Sequence, residues 1–171
     1  MDNRISIVFT VNNSYAQHCC AAMVSVLENN LTSSIDFYIL TDYFSDENKK
    51  LFVSVVERYG NNNRVEFKLV DHAIFEGFKL HIKYITCHTY YRLLIADLFP
   101  ELTRILYLDA DLIVDGSIAE LWKTPLEGYL YAGVNDSWIE RIKYKYSIGL
   151  QESDIYINAG VILMNLEAMR N

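Results

Sequence analysis

Two aspartates separated by one small residue, Asp109-Ala110-Asp111, directly follow the apolar run Arg104–Leu108. Carboxylates so spaced at a strand end can both turn toward one divalent cation where the backbone bends. The small middle residue lets phosphates come close. Oxygen ligands suit Mg²⁺ or Mn²⁺, which can bridge a diphosphate. A cation there stabilises a departing diphosphate as negative charge develops on it. Asp-x-Asp also arises often by chance as a pair of turn carboxylates, so the tripeptide alone leaves both readings open.

Two further segments carry polar groups beside apolar runs. Asn12-Asn13-Ser14-Tyr15 has short polar side chains and one aromatic. A Tyr face can stack on a nucleobase, and an Asn amide can donate to and accept from the base edge. The alternative is that Asn12 caps a turn and Tyr15 packs on the sheet. No Gly-rich phosphate loop is present, which excludes a dinucleotide fingerprint and a Walker loop. Asn158-Ala159-Gly160 precedes another apolar run. Its glycine permits close backbone approach to a ligand, or a tight bend. Arg92 stands among mostly apolar neighbours and should be paired with a carboxylate, Asp109 being a candidate; structural pairing and substrate contact both remain open. Trp138–Tyr146 interleaves Arg141, Lys143 and Lys145 with Tyr144 and Tyr146, a solvated amphipathic segment or a contact for an acidic acceptor or membrane surface. His18, His72, His81 and His88 show no metal-ligand spacing.

The elements that must position these groups alternate along the chain. Ile5–Val11 is a β-branched run closed by a polar turn, and Tyr15–Asn29 carries apolar residues at Ala16, Cys20, Met23 and Leu27, one helical face. Ile35–Leu40 is a second strand. Ser45 is a candidate N-cap for a helix over Asp46–Tyr59, which Gly60 and three asparagines stop. Val65–Val70 is a third strand and Asp71–Cys87 is irregular. A helix over Thr89–Phe99 ends at Pro100, and Arg104–Leu108 is a strand buried on both faces. Ile118–Trp122 reads as a short helix, Leu130–Val134 as a strand, and Ala159–Met164 as a final apolar run. This order predicts an α/β fold, a mostly parallel sheet with helices on both faces. Ligands of such sheets bind outside the carboxyl ends of the strands, where the three polar segments fall.

Composition bounds the class. The 171 residues are 51% apolar and 22% charged, with a formal charge of −7, 7 Gly and 2 Pro. That length predicts one domain with a substantial core, and the composition excludes a disordered or collagenous chain. The acidity argues against nucleic-acid partners, which need clustered positive charge. No apolar run approaches the roughly 20 residues of a membrane span, and the amino terminus does not read as a signal peptide. The three cysteines, two of them adjacent, read as reduced thiols of a cytoplasmic protein, with Cys19 and Cys20 packing by a helix face.

The motifs together resemble family 8 glycosyltransferases, which include lipopolysaccharide glucosyl- and galactosyltransferases and glycogenin. RILYLDADLIVDGSIAELW is similar to their Asp-x-Asp segment and IVFTVNNSYAQHCCAAMVSVLENN to their first strand and helix. TYYRLLIADLFP resembles their arginine helix and YINAGVILMNL their Asn-Ala-Gly segment, all four in family order across nearly the whole chain. The resemblance implies a glycosyltransferase A-type, Rossmann-like nucleotide-sugar domain. It further implies transfer of a hexose, glucose or galactose, from a UDP-sugar to a glycan or lipid-linked acceptor with retention at the anomeric carbon. It casts Asp109 and Asp111 as ligands of Mn²⁺ or Mg²⁺, with Asp109 also touching the donor sugar. Thr10, Asn12 and Tyr15 match the uridine site, with Tyr15 stacking on uracil, and Ser14 matches another donor contact. Arg92, Asn158, Ala159 and Gly160, together with Ala110, fall around the donor sugar and diphosphate, and Asp136 near sugar or acceptor. Asn12 stands where some members carry Asp, and Ile157 where an aromatic often precedes Asn-Ala-Gly.

Family members usually continue well beyond the position of Asn171. That further part supplies a histidine ligand, an acid-amide pair near the reacting centre and much of the acceptor site. The expectation is therefore a single domain over 1–171 lacking its carboxy-terminal part. It would be cytoplasmic or peripheral to the membrane, with exposed apolar surface that favours self-association. The alternative function is a non-catalytic nucleotide-sugar-binding or assembly module.

Overall fold

The computed structural model describes residues 4–78, 87–137 and 144–171. His81 and residues 138–143 of the basic segment lie outside the described residues. Strand β1 (Arg4–Thr10) leads through a 3-10 turn, Asn13–Tyr15, into helix α1 (Ala16–Glu28). Then come β2 (Ser34–Thr41), α2 (Asp46–Tyr59) and β3 (Arg64–Leu69). Ser45 caps α2 as its pattern predicts, its hydroxyl accepting from the Asn48 amide at 3.2 Å. Gly60, Asn61 and Asn62 end it with φ of +59°, +53° and +57°, a left-handed run that only glycine and asparagine enter at low cost.

The second half is β4 (Arg104–Leu108), short α3 (Ile95–Leu98) before it, α4 (Ala119–Trp122), β5 (Tyr131–Asn135), α5 (Tyr144–Ser147), β6 (Ile157–Asn165) and α6 (Leu166–Arg170). One expected helix differs in kind. Cys87–Leu94 is 3-10 and only Ile95–Leu98 is α-helical. Within it the Arg92 side chain donates from Nε to the Thr89 carbonyl at 2.9 Å, occupying an oxygen that an α-helix would give to a backbone amide.

The six strands form one sheet in the order β3-β2-β1-β4-β6-β5. Strands β3, β2, β1 and β4 are parallel, whereas β6 runs antiparallel to both β4 and β5. The mostly parallel α/β sheet is thus present, with one reversed strand inserted inside its edge. Periodicity along Ala159–Met164 shows burial but not direction, so the reversal is a tertiary fact. Its consequence is geometric: the start of β6 lies beside the carboxyl ends of β4 and β5.

Side chains of β1 alternate between two cores. Ile5, Ile7 and Phe9 meet Met23, Val26, Leu27, Phe52 and Val56 from α1 and α2. Val8 faces the other side with Tyr91, Ile95, Phe99, Tyr107 and Leu166. Helical layers therefore cover both faces, as a sheet apolar on both sides requires. Cys19 is fully buried in the first core and Cys20 half-buried beside it, and all three cysteines are free.

Candidate active site

The chain turns from the β1–β2–β3 side of the sheet to the β4 side between β1 and β4, which are neighbours. Loops leaving such a switch point diverge and open a crevice. Thr10 ends β1 there and Asp109 follows β4. By strand alternation, Tyr107 and Asp109 share one face of β4, while Leu106, Leu108 and Ala110 pack into the opposite core.

Asp109 is the centre of a dense arrangement. Its Oδ1 accepts from the Tyr107 hydroxyl at 2.7 Å and from Arg92 Nη2 at 3.1 Å. The Arg92 guanidinium also donates to the Ala159 carbonyl at 2.6 Å and lies 4.3 Å from the centre of the Tyr107 ring. Three anchors and an aromatic platform fix the planar cation, which a point-charge lysine could not match. The carboxylate partner expected for Arg92 is therefore Asp109. The Tyr107 hydroxyl further meets Thr10 Oγ1 at 3.2 Å, tying β1 to β4. Burial pushes the Tyr107 phenol well up from its ordinary value, against the favourable field of Arg92. It stays a neutral donor at any ordinary pH.

The reversed strand β6 closes the far wall. The Asp109 amide donates to the Gly160 carbonyl at 2.8 Å, and the Gly160 amide to Asn158 Oδ1 at 2.8 Å. A β-carbon at Gly160 would lie 2.8 Å from Asp109 Oδ2 and 3.0 Å from Asn158 Oδ1. Close approach, rather than a turn, is what this glycine provides. Asn158 Nδ2 lies 3.5 Å from Asp136 Oδ2 at the end of β5. An open cleft of about 350 Å³ is lined by Val134, Asn135, Asp136, Ser137, Asn158 and Val161.

The turn after β1 forms the near wall. Asn12 Oδ1 accepts from the Tyr15 amide at 3.0 Å and the Ser14 hydroxyl at 2.7 Å. The capping role is therefore present, and only the donor half of the Asn12 amide is left for a base edge. Tyr15 is not packed on the sheet: it is 40% exposed, its ring tilted against His18 with centroids 4.4 Å apart, and its hydroxyl 3.5 Å from Asp111 Oδ2. Asn13 secures the turn by accepting from the Ser45 amide at 2.8 Å and from Asn48 Nδ2 at 2.9 Å.

The structure thus gathers Thr10, Arg92, Asp109, Asn158, Ala159 and Gly160 into one contiguous set. Asp111 and Tyr15 flank one side and Asp136 the other. Ala110 is 7% exposed and belongs to the first core, so its small size is also a packing requirement. Asp109 and Asp111 carry the carboxylate oxygens that a hard cation such as Mn²⁺ or Mg²⁺ would take, with a diphosphate and water to complete its shell. Among the described residues no three His, Cys, Asp or Glu side chains gather at a common metal position. Two participants escaped the sequence reading: Tyr107 and His18. Tyr107 lies two residues before Asp109, the spacing that puts strand neighbours on one face. For His18 the only signal is its position one helical turn after Tyr15.

Comparison with known proteins identifies the family. Residues 6–171 match the family description "Glycosyl transferase family 8". A putative glycosyltransferase of Haemophilus influenzae is 31% identical over 164 residues, 95% of this chain and 48% of that protein. Lipopolysaccharide 1,3-galactosyltransferase of Salmonella typhimurium is 29% identical over 170 residues, covering 96% and 49%. The crystal structure of the galactosyltransferase LgtC with donor and acceptor sugar analogues superposes with a TM-score of 0.91 and 33% identity, over 97% of this chain and 59% of that one. The chain spans about half the length of these curated relatives. With the family description matched across both walls of the crevice and the sheet beneath it, the chain belongs to glycosyltransferase family 8.

Proposed function

We propose that the chain is the donor-binding domain of a metal-dependent retaining hexosyltransferase. The donor is a UDP-sugar, glucose or galactose, and the acceptor a glycan or lipopolysaccharide-type sugar. One observation carries the reading: Asp109 is held by Arg92 and Tyr107 at the switch point, against the close-packed Gly160, with Asp111 and an exposed Tyr15 alongside. That is an oxygen-rich, sterically open floor beside an aromatic platform, the combination a nucleoside diphosphate sugar needs.

Tyr15, braced by His18, stacks on the base, and the Asn12 amide donates to its edge. Asp109 and Asp111 hold the divalent cation, Mn²⁺ or Mg²⁺. When bound, it acts as a Lewis acid that offsets the negative charge of the departing UDP. Arg92 keeps Asp109 oriented, and its guanidinium adds positive potential beside the leaving group. Asn158 and Asp136 line the cleft where the hexose and the incoming acceptor hydroxyl meet. Gly160 keeps that wall low enough for the sugar. The lipopolysaccharide 1,3-galactosyltransferase relative supports a hexosyl donor.

A ligand that binds only the native state raises stability by RT ln(1 + [L]/Kd), about 2.7 kcal/mol at a hundredfold excess over Kd. Thermal unfolding should therefore shift upward with millimolar UDP and Mn²⁺ together, and less with either alone. Asp109→Ala and Asp111→Ala should abolish the metal-dependent part. An unchanged transition in the wild type sinks the reading.

A further inference from the structure

Tyr107 is 1% exposed, a core side chain whose hydroxyl bonds two residues of the crevice. It faces Val8 of β1 and Ile162 of β6 across the sheet, so its backbone is locked on both sides. Its ring fills the core beside Tyr91, Ile95 and Phe99, and its hydroxyl emerges between Thr10 Oγ1 and Asp109 Oδ1, 3.2 and 2.7 Å away. The Arg92 guanidinium lies on that ring and bonds the same Asp109 oxygen. Both donors thus converge on Oδ1. Oδ2 takes neither bond and is the oxygen turned toward Gly160.

We infer that Tyr107 is a positioning residue that divides the labour of the Asp109 oxygens. Its hydroxyl pins Oδ1 into the scaffold, so that Oδ2 is presented to the donor side at a fixed angle. Arg92 alone does not suffice for this. A guanidinium bond constrains the carboxylate from one direction and leaves it free to pivot. A second donor from the strand itself, two residues before and rigidly held, removes the pivot. A carboxylate with two charge-assisted or short bonds on one oxygen is also less free to turn its other oxygen away. Thr10 completes the device by orienting the phenol: hydrogen-bonded to Asp109, the phenol oxygen still accepts from the Thr10 hydroxyl. This assignment rests on the donor-site reading above and adds a residue that touches no substrate.

The experiment compares Tyr107→Phe with the wild type, because Phe keeps the ring, the core packing and the Arg92 contact while deleting one hydroxyl. Binding of UDP is titrated with and without Mn²⁺, and binding of uridine serves as the control that does not reach Asp109. The expected result is Mn²⁺-dependent UDP affinity lowered about tenfold or more, the scale of a hydrogen bond to a charged group, with uridine binding unchanged. In an Asp109→Ala background the same substitution should have no further effect, the signature of action through Asp109. Equal weakening of uridine and UDP, or an undiminished effect in the Asp109→Ala background, overturns the inference. Crystal structures of the unliganded wild type and Tyr107→Phe supply a readout independent of any donor. A single Asp109 orientation in the wild type that is lost in the variant supports the positioning role even if UDP fails to bind. An unchanged Asp109 orientation in the variant overturns it.

Discussion

At the scale of single residues, the site is governed by how few degrees of freedom its groups retain. Arg92 is anchored to Thr89, Ala159 and Asp109 and stacked on Tyr107, so a charge in a half-buried place is matched on every side. Gly160 shows the opposite tactic, a side chain withheld. Gly160→Ala would set a methyl group 2.8 Å from Asp109 Oδ2. The carboxylate is held through Oδ1 by Tyr107 and Arg92, so relief of the contact must strain those bonds or shift the β6 backbone. Overpacking of this kind costs about 1–3 kcal/mol. It should appear as a melting temperature lowered by about 2–4 °C per kcal/mol, together with weaker Mn²⁺-dependent UDP binding. Calorimetric titration and thermal unfolding of the same variant check both halves.

At the scale of elements, the segments that position the site are short and irregular, and side chains hold them. The 3-10 stretch Cys87–Leu94 delivers Arg92, and it is tied to the end of β2 by His88 Nε2 meeting Asp42 Oδ1 at 2.9 Å. Burial by itself would raise the Asp42 carboxyl. The His88 hydrogen bond and charge, with the Tyr43 amide, outweigh it and hold the carboxyl below its ordinary value. A carboxylate lowered in the folded state stabilises fully above its unfolded pKa, about 3.9, and loses that contribution as pH falls through the folded value. Asp42→Asn should therefore be less stable than the wild type at pH 7, and the gap should close below about pH 4. Melting temperatures of the two proteins from pH 7 to pH 3 test this. Cys87 lies 3.2 Å from His72 Nδ1 and 3.8 Å from His88 Nδ1 in the same cluster, a neighbourhood that sequence spacing did not disclose. Burial and the Asp42 charge raise its thiol, and complete burial raises Cys19 far more.

At the scale of the whole molecule, a few buried polar links join parts distant in sequence. Asn30, 4% exposed, donates to the Val26 carbonyl at 2.8 Å and accepts from the Ile118 amide at 2.9 Å and the Ser117 hydroxyl at 3.2 Å. It fastens the end of α1 to the chain that follows Asp111. Asn30→Ala strands a buried amide, at a cost of about 1–3 kcal/mol. The melting temperature should fall by about 2–4 °C per kcal/mol for a chain of this size, with UDP affinity unaltered. Read from the sequence alone, periodicity gave the strands and long helices, because burial on one or both faces imposes a period that no other constraint erases. The Asp-x-Asp pair and the Asn-Tyr turn were legible because each directly follows such a strand, and the Asn-Ala-Gly segment because it adjoins an apolar run, although it lies within β6. Neither the reversal of β6 nor the 3-10 form of Cys87–Leu94 was legible. An apolar run reads the same in both directions, and a side chain competing for a carbonyl leaves no periodic trace. Residue order and periodicity were enough for the strand-ending polar groups and the two-sided sheet that carries them. Sheet order brought Gly160 to Asp109, and gave Tyr107 and Arg92 one of its oxygens to share. Those contacts join Arg92 to Asp109, 17 positions on, and Asp109 to Gly160, farther still, and separations of that kind are bridged by sheet order and strand direction, which no local pattern encodes.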